Sequence, residues 1–187
     1  MIKKSLILTS IILAITLTLG LSGCGDAGGE ADTKAPIRFF ISNLNGGSVS
    51  QISIAGYAET QVDAVLANTP IDPGIEDTSY YMDVIVKGYE VSYIRKDTGT
   101  RVPATFTASL TGVCPVNGEL NIPIVICRSS QKEMPPLDDL CDPGYDQETG
   151  LFEIHTTCRV VVWGETFAGE EVVTDPGHVA AHFRCSW

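Results

Sequence analysis

Two His-x-x-Cys pairs, His155-Thr156-Thr157-Cys158 and His182-Phe183-Arg184-Cys185, carry the residue types with the widest chemical reach in this chain. Two imidazoles and two thiolates would complete a tetrahedral Zn²⁺ shell. The spacing argues against that use, because residues three apart on a strand point to opposite faces. Cys158 falls in phase with Phe152, Ile154, Val160 and Val162, a core face, whereas His155 falls with Glu153, Arg159 and Trp163, a solvent face. Cys185 likewise shares parity with Val179, Ala181 and Phe183, and His182 points away with His178. A His178–His182 pair on one face supplies two ligands and leaves a coordination shell incomplete. Buried or bonded cysteines, exposed histidines, no metal at these pairs and no cofactor are the expectation.

Asp138, Asp139, Asp142, Asp146 and Glu148 crowd a single loop, DDLCDPGYDQETG. Hard oxygen ligands around glycine suit Ca²⁺, which makes these five a weak calcium candidate. The Asp-x-Asp-x-Asp-Gly run and the spaced closing Glu of an EF-hand are missing, so a solvated acidic loop is the expected state. Catalytic patterns are absent from the sequence: no Gly-x-Ser-x-Gly, His-Glu-x-x-His, Gly-Lys-Ser/Thr or Cys-x-x-Cys. The chain reads as a non-enzyme.

The elements that must position these residues are strands. From Pro36 onward helical periodicity is nearly missing and alternation recurs. Ser48–Ala55, Tyr81–Val86, Glu90–Ile94, Thr105–Val113, Glu119–Cys127, Phe152–Trp163, Val172–Val173 and Val179–Trp187 all read as strands. The apolar phase slips from even to odd positions across Lys87-Gly88, which predicts a bulge or kink at the glycine. Asp97-Thr98-Gly99, Asn117-Gly118, Ala168-Gly169 and Asp175-Pro176-Gly177 mark turns, and Asn-Gly is the strongest short hairpin signal. Pro135-Pro136 limits Gln131–Leu140 to a turn of helix. The fold class is therefore all-β, an antiparallel sandwich.

With Cys24 set apart for the reason given below, Cys114, Cys127, Cys141, Cys158 and Cys185 form an odd set with fifteen ways to make two disulfides. A two-residue Asn117-Gly118 hairpin would place Cys114 opposite Asn121 and Cys127 opposite Ala108. The two thiols would then lie about 20 Å apart along the strands, whereas a disulfide needs Cα atoms within about 7 Å. Cys114–Cys127 is excluded on that count. Pairing across Thr166–Gly169, with opposed residue numbers adding to 335, places Cys185 near Gly150, where the loop from Cys141 arrives. Cys141–Cys185 is the favoured bond, and at least one buried thiol or an intermolecular bond is left over.

The N-terminus begins Met1-Ile2-Lys3-Lys4, runs apolar from Leu6 to Leu21, and reaches Leu21-Ser22-Gly23-Cys24. A basic start, a short apolar run and small residues make a secretory signal. Leu-Ser-Gly-Cys resembles the lipobox of bacterial lipoproteins. The resemblance implies cleavage before Cys24, acylation of that cysteine and attachment to a lipid bilayer. Gly25, where enteric bacteria place a retaining Asp, implies outer-membrane placement, facing the periplasm or the exterior. Residues 1–23 are then a cleaved signal, 24–35 an acylated tether rich in glycine, and 36–187 one β-sandwich domain. Removal of Lys3 and Lys4 leaves 10 basic against 23 acidic residues, a net charge of −13. That balance excludes nucleic acid as a partner.

Gly88-Tyr89-Glu90-Val91-Ser92-Tyr93-Ile94-Arg95, Pro135-Pro136-Leu137 and the closing hairpin on Val160–Gly164 and Ala168-Gly169 are similar to a group of small bacterial lipoproteins. That resemblance covers roughly Asp77 to Trp187 and implies an immunoglobulin- or fibronectin-III-like sandwich. It contributes no catalytic residue. Residues 36–76 depart from it and read as an extra strand pair or loop. The expected function is an envelope binding or structural module for a protein or small ligand, acting through the loops Lys96–Pro103 and Glu133–Gly150. The alternative is an accessory subunit of a larger envelope complex, such as one handling redox proteins, touched through the odd cysteine or the acidic face.

Overall fold

The alternation that dominates the sequence is realised as nine strands among the described residues. The computed structural model describes residues 36–185 except 57, 73 and 75–78. The signal segment, Cys24, the tether and the last two residues lie outside the described residues. The strands are β1 (Ile37–Leu44), β2 (Ser50–Ser53), β3 (Thr60–Pro70), β4 (Val84–Arg95), β5 (Phe106–Cys114), β6 (Gly118–Cys127), β7 (Glu153–Thr166), β8 (Glu171–Val173) and β9 (Gly177–Arg184). An α-helical turn, α1, covers Ser129–Lys132. Residues 36–76, where the sequence leaves a choice between a strand pair and a loop, contribute β1, β2 and β3.

Two sheets result. One has the order β1-β3-β6, and the other β2-β9-β7-β4-β5 with β8 added beside β7. All pairs are antiparallel except β2 with β9. The inward side chains of both sheets form one core cluster, which includes Val62, Leu66, Ile122 and Ile124 from the first sheet. Val84, Val91, Val160 and Phe183 join it from the second. β7 alternates strictly between buried and partly exposed residues over its 14 positions. Ile154, Cys158, Val160 and Val162 are fully buried, as the period of two required, whereas Phe152, expected on the same face, precedes the strand and is exposed.

The predicted slip is a bulge at Lys87. Registers with both β5 and β7 jump between Val86 and Gly88. Even positions Val84 and Val86 point inward before it, and odd positions Tyr89, Val91 and Tyr93 after it. Gly88 is where backbone and ring come closest: a Cβ there would lie 2.5 Å from the Trp163 ring and 2.7 Å from the Ala108 carbonyl oxygen. No larger residue fits without displacing the neighbouring strand.

The Asn117-Gly118 turn corrects the sequence reading. Asn117 does take the left-handed φ of 57°, and the Gly118 amide donates to the Pro115 carbonyl at 3.0 Å. The strands it joins do not pair with each other. β5 lies beside β4 with Cys114 opposite Val84, and β6 lies beside β3 with Gly118 opposite Asn68. Asn-Gly dictates a turn, but burial selects the partner. Ile122, Ile124 and Ile126 on β6 must face the other sheet's core, so the chain crosses between sheets. Buried Asn68 holds this corner. Its side-chain amide donates to the Met82 and Cys114 carbonyls at 2.9 and 3.3 Å, while its backbone carbonyl accepts from the Asn117 amide at 2.8 Å.

The expected opposition of Cys127 to Ala108 is thus wrong, though the exclusion of a Cys114–Cys127 bond holds for a simpler reason. β6 runs its whole length, about 30 Å, between them. Cys141 and Cys185 are bonded, with Cα atoms 5.1 Å apart. Cys114, Cys127 and Cys158 are free and buried. Burial pushes the Cys114 and Cys127 thiols up to about 11 and the Cys158 thiol up to about 12. In the folded chain these three thiols are therefore expected to give no reaction with a disulfide-exchange reagent. Unfolded in guanidinium without reductant, it should yield three thiols besides Cys24; a count of one would establish a second disulfide instead.

Candidate functional site

The loops Lys96–Pro103 and Glu133–Gly150, far apart in sequence, meet at one end of the second sheet. Their joint is Arg95, the last residue of β4. After the bulge, odd positions of β4 face inward, so Arg95 follows Tyr93 toward the interior and its guanidinium is only 4% exposed. A buried cation requires carboxylate partners. Arg95 Nε donates to Asp97 Oδ1 at 2.7 Å, Nη2 to Asp146 Oδ2 at 3.0 Å, and Nη1 to the Arg101 carbonyl at 2.8 Å. Arg101 Nη2 donates to Asp139 Oδ2 at 3.0 Å and lies 3.6 Å from Asp146 Oδ1. Glu148 accepts from the amides of Thr100 and Arg101 at 2.7 and 2.8 Å and from the Thr100 hydroxyl.

This geometry corrects the picture of a solvated acidic loop. Asp146 is fully buried and Asp139 nearly so. Of the five calcium candidates, Asp139, Asp146 and Glu148 are committed to arginines and backbone amides, and Asp142 is exposed. Asp138 Oδ1 is buried without a hydrogen-bond partner. Burial by itself would raise the Asp146 carboxyl. Hydrogen bonds from Thr149 and Arg95 outweigh it and hold the group below the usual carboxylate range. Asp97 is lowered in the same way: burial opposes, while the Arg95 guanidinium and the amides of Gly99 and His155 prevail.

Asp97 ties this joint to β7, since its Oδ2 accepts from the His155 amide at 3.0 Å. On the outer face of β7, His155 stands directly opposite His182 of β9. Their rings stack with centroids 4.1 Å apart and planes 8° from parallel. Glu153 Oε2 lies 3.1 Å from His155 Nε2, and Gln51 Nε2 on β2 lies 3.4 Å from His182 Nδ1. The Arg184 guanidinium stands 3.6 Å from Glu153 Oε1. The hydrogen bond from His155 holds the Glu153 carboxyl below its ordinary range. The Cys141–Cys185 disulfide pins the chain one residue beyond the end of β9.

Sequence parity placed Cys158 in the core and His155 and His182 on outer faces, and the structure agrees. It did not bring the two histidines together. The expected sum of 335 would set His155 against Ala180, whereas the observed pairs add to 336 beside β8 and to 337 along β9. The Asp175-Pro176-Gly177 interruption adds the final residue of that shift. Arg95 was also missed, although the phase slip at Gly88 carried the signal: it turns an arginine inward. No protein-family model matches the chain, and no curated protein is similar to it in sequence.

Proposed function

We propose that this chain is an exported, lipid-anchored envelope protein whose immunoglobulin- or fibronectin-III-like sandwich is a binding or structural module rather than an enzyme. The observation that carries this reading is the Cys141–Cys185 disulfide in a chain that opens on a lipobox-like Leu21–Cys24. Disulfides persist in oxidising compartments, which is where a cleaved lipoprotein signal delivers its cargo. Acylation then provides the membrane contact, since two or more chains anchor stably where one does not.

The strand order supports the immunoglobulin-like part. β3 and β6 stand where strands B and E do. β4, β7 and β9 stand where C, F and G do, with β5 as an added C′ strand. The first strand is divided, β1 lying on one sheet and β2 beside β9 on the other. The bond between B and F typical of antibody domains is missing, for Cys158 on β7 is free. This favours the fibronectin-III-like member of the pair. In such a module the recognition surface lies in loops clustered at one end, here Lys96–Pro103 with Glu133–Gly150, fixed by Arg95.

Metabolic labelling with palmitate tests the anchor. The wild-type chain should take up label, lose residues 1–23 and partition into detergent, and Cys24→Ser should take up no label and keep those residues. An unlabelled wild-type chain recovered from the aqueous phase would overturn the reading.

A further inference from the structure

The outer face of the second sheet holds three ligating side chains whose donor atoms converge. We propose that Glu153, His155 and His182 form a binding site for a divalent transition-metal ion, Zn²⁺ or Cu²⁺, on the face of the β7–β9 pair. Among the described residues this is the one group of three or more such side chains in reach of a common ion, each offering an atom within 4.8 Å of the others.

The donor set selects the metal class. Two imidazoles and one carboxylate suit Zn²⁺ and Cu²⁺, whereas Ca²⁺ and Mg²⁺ take oxygen ligands. Three protein ligands leave at least one coordination position open to water or to a donor from a partner.

The backbone that would hold such an ion is fixed independently on both strands. His155 and His182 are a directly opposed cross-strand pair, a relation that sets Cβ atoms about 5 Å apart. The His155 amide is bound by buried Asp97, and the strand bearing His182 ends at the disulfide. Only rotation of half-buried side chains is needed to aim the ligands, since stacked rings must turn to present their nitrogens to one ion. Arg184, which stands 3.6 Å from Glu153, is more than half exposed and free to swing away from it. Gln51 at the far edge of the row stands beside His182, its side-chain amide 3.4 Å from Nδ1; for Nε2 to take the metal, Nδ1 carries the proton and the Gln51 amide turns so that its Oε1 accepts it. His178 lies on the same face of β9 but opposite Arg159, four residues along, and belongs to no such group.

Calorimetric titration of the full-length, tag-free chain with ZnCl₂ tests the site without reference to lipid attachment. One ion should bind per chain, and the melting temperature should rise by several degrees at saturation. His182→Ala should weaken binding by more than about 100-fold and abolish the thermal shift while leaving the metal-free melting temperature unchanged. His178→Ala should change neither. No heat and no shift for the wild-type chain, or binding that survives His182→Ala and His155→Ala alike, would overturn the proposal.

Discussion

Replacing Arg95 with methionine is expected to lower the free energy of unfolding by about 3–5 kcal/mol. The guanidinium is 4% exposed and the Asp146 carboxylate 0%, so its removal leaves a buried charge without its cation. Asp146→Asn should cost less, because Arg95 then keeps Asp97 and Thr149 keeps its acceptor. With a urea slope of about 2 kcal/mol per molar, the Arg95→Met midpoint should fall by roughly 2 M. The pH dependence follows from the lowered carboxyls of Asp97 and Asp146. Their contribution is complete above the unfolded carboxylate value near about 3.9 and is lost as pH falls through the still lower folded values. The gap between wild type and Arg95→Met should therefore narrow as urea curves are taken from pH 6 toward pH 2. A gap under about 1 kcal/mol at neutral pH would mean that water, and not protein, solvates this ion cluster.

Removing the disulfide as Cys141→Ala/Cys185→Ala is the second large effect. The bond closes a separation of 44 residues, for which chain entropy gives about 4 kcal/mol. In a domain of this size that is a fall in melting temperature of about 10 °C. The loss should concentrate at the end of β9 and in the acidic loop. Amide exchange should accelerate from Val179 to Arg184 before it does in β4 and β6, whose ladders the bond does not touch. Uniform acceleration across both sheets would instead make the bond a determinant of global folding.

Local pattern was sufficient for much of this fold. Strict period two placed Ile154, Cys158 and Val160 inward on β7, and a change of phase located the bulge at Lys87. Relations between strands were less legible. Asn117-Gly118 encodes a turn and is silent about which sheet receives β6, a choice made by three isoleucines that need a facing core. β1 and β3 were legible only as a strand pair or loop: short side chains blur the alternation of β3, where Ala64, Ala67 and Asn68 are buried, and a register shift between Ile41 and Asn43 breaks that of β1. The Cys141–Cys185 bond was found by a register two residues from the true one, close enough for a flexible loop to reach. The same two residues hid the His155–His182 pair, where a side chain has one partner and no slack. The clamp of Arg95 on Asp146 spans 51 positions and was visible only as an arginine on an inward parity.

The claim on which the functional reading rests is that the chain crosses a membrane, loses residues 1–23 and is held there by Cys24 while its disulfide forms. Mass spectrometry of the protein isolated from membranes and digested without reduction tests all of it in one spectrum. The account predicts an N-terminal peptide beginning at an acylated Cys24, together with a cross-linked pair of peptides joining Cys141 to Cys185. An N-terminal peptide that retains Gly23, or an unmodified Cys24 with Cys141 and Cys185 reduced, would contradict it.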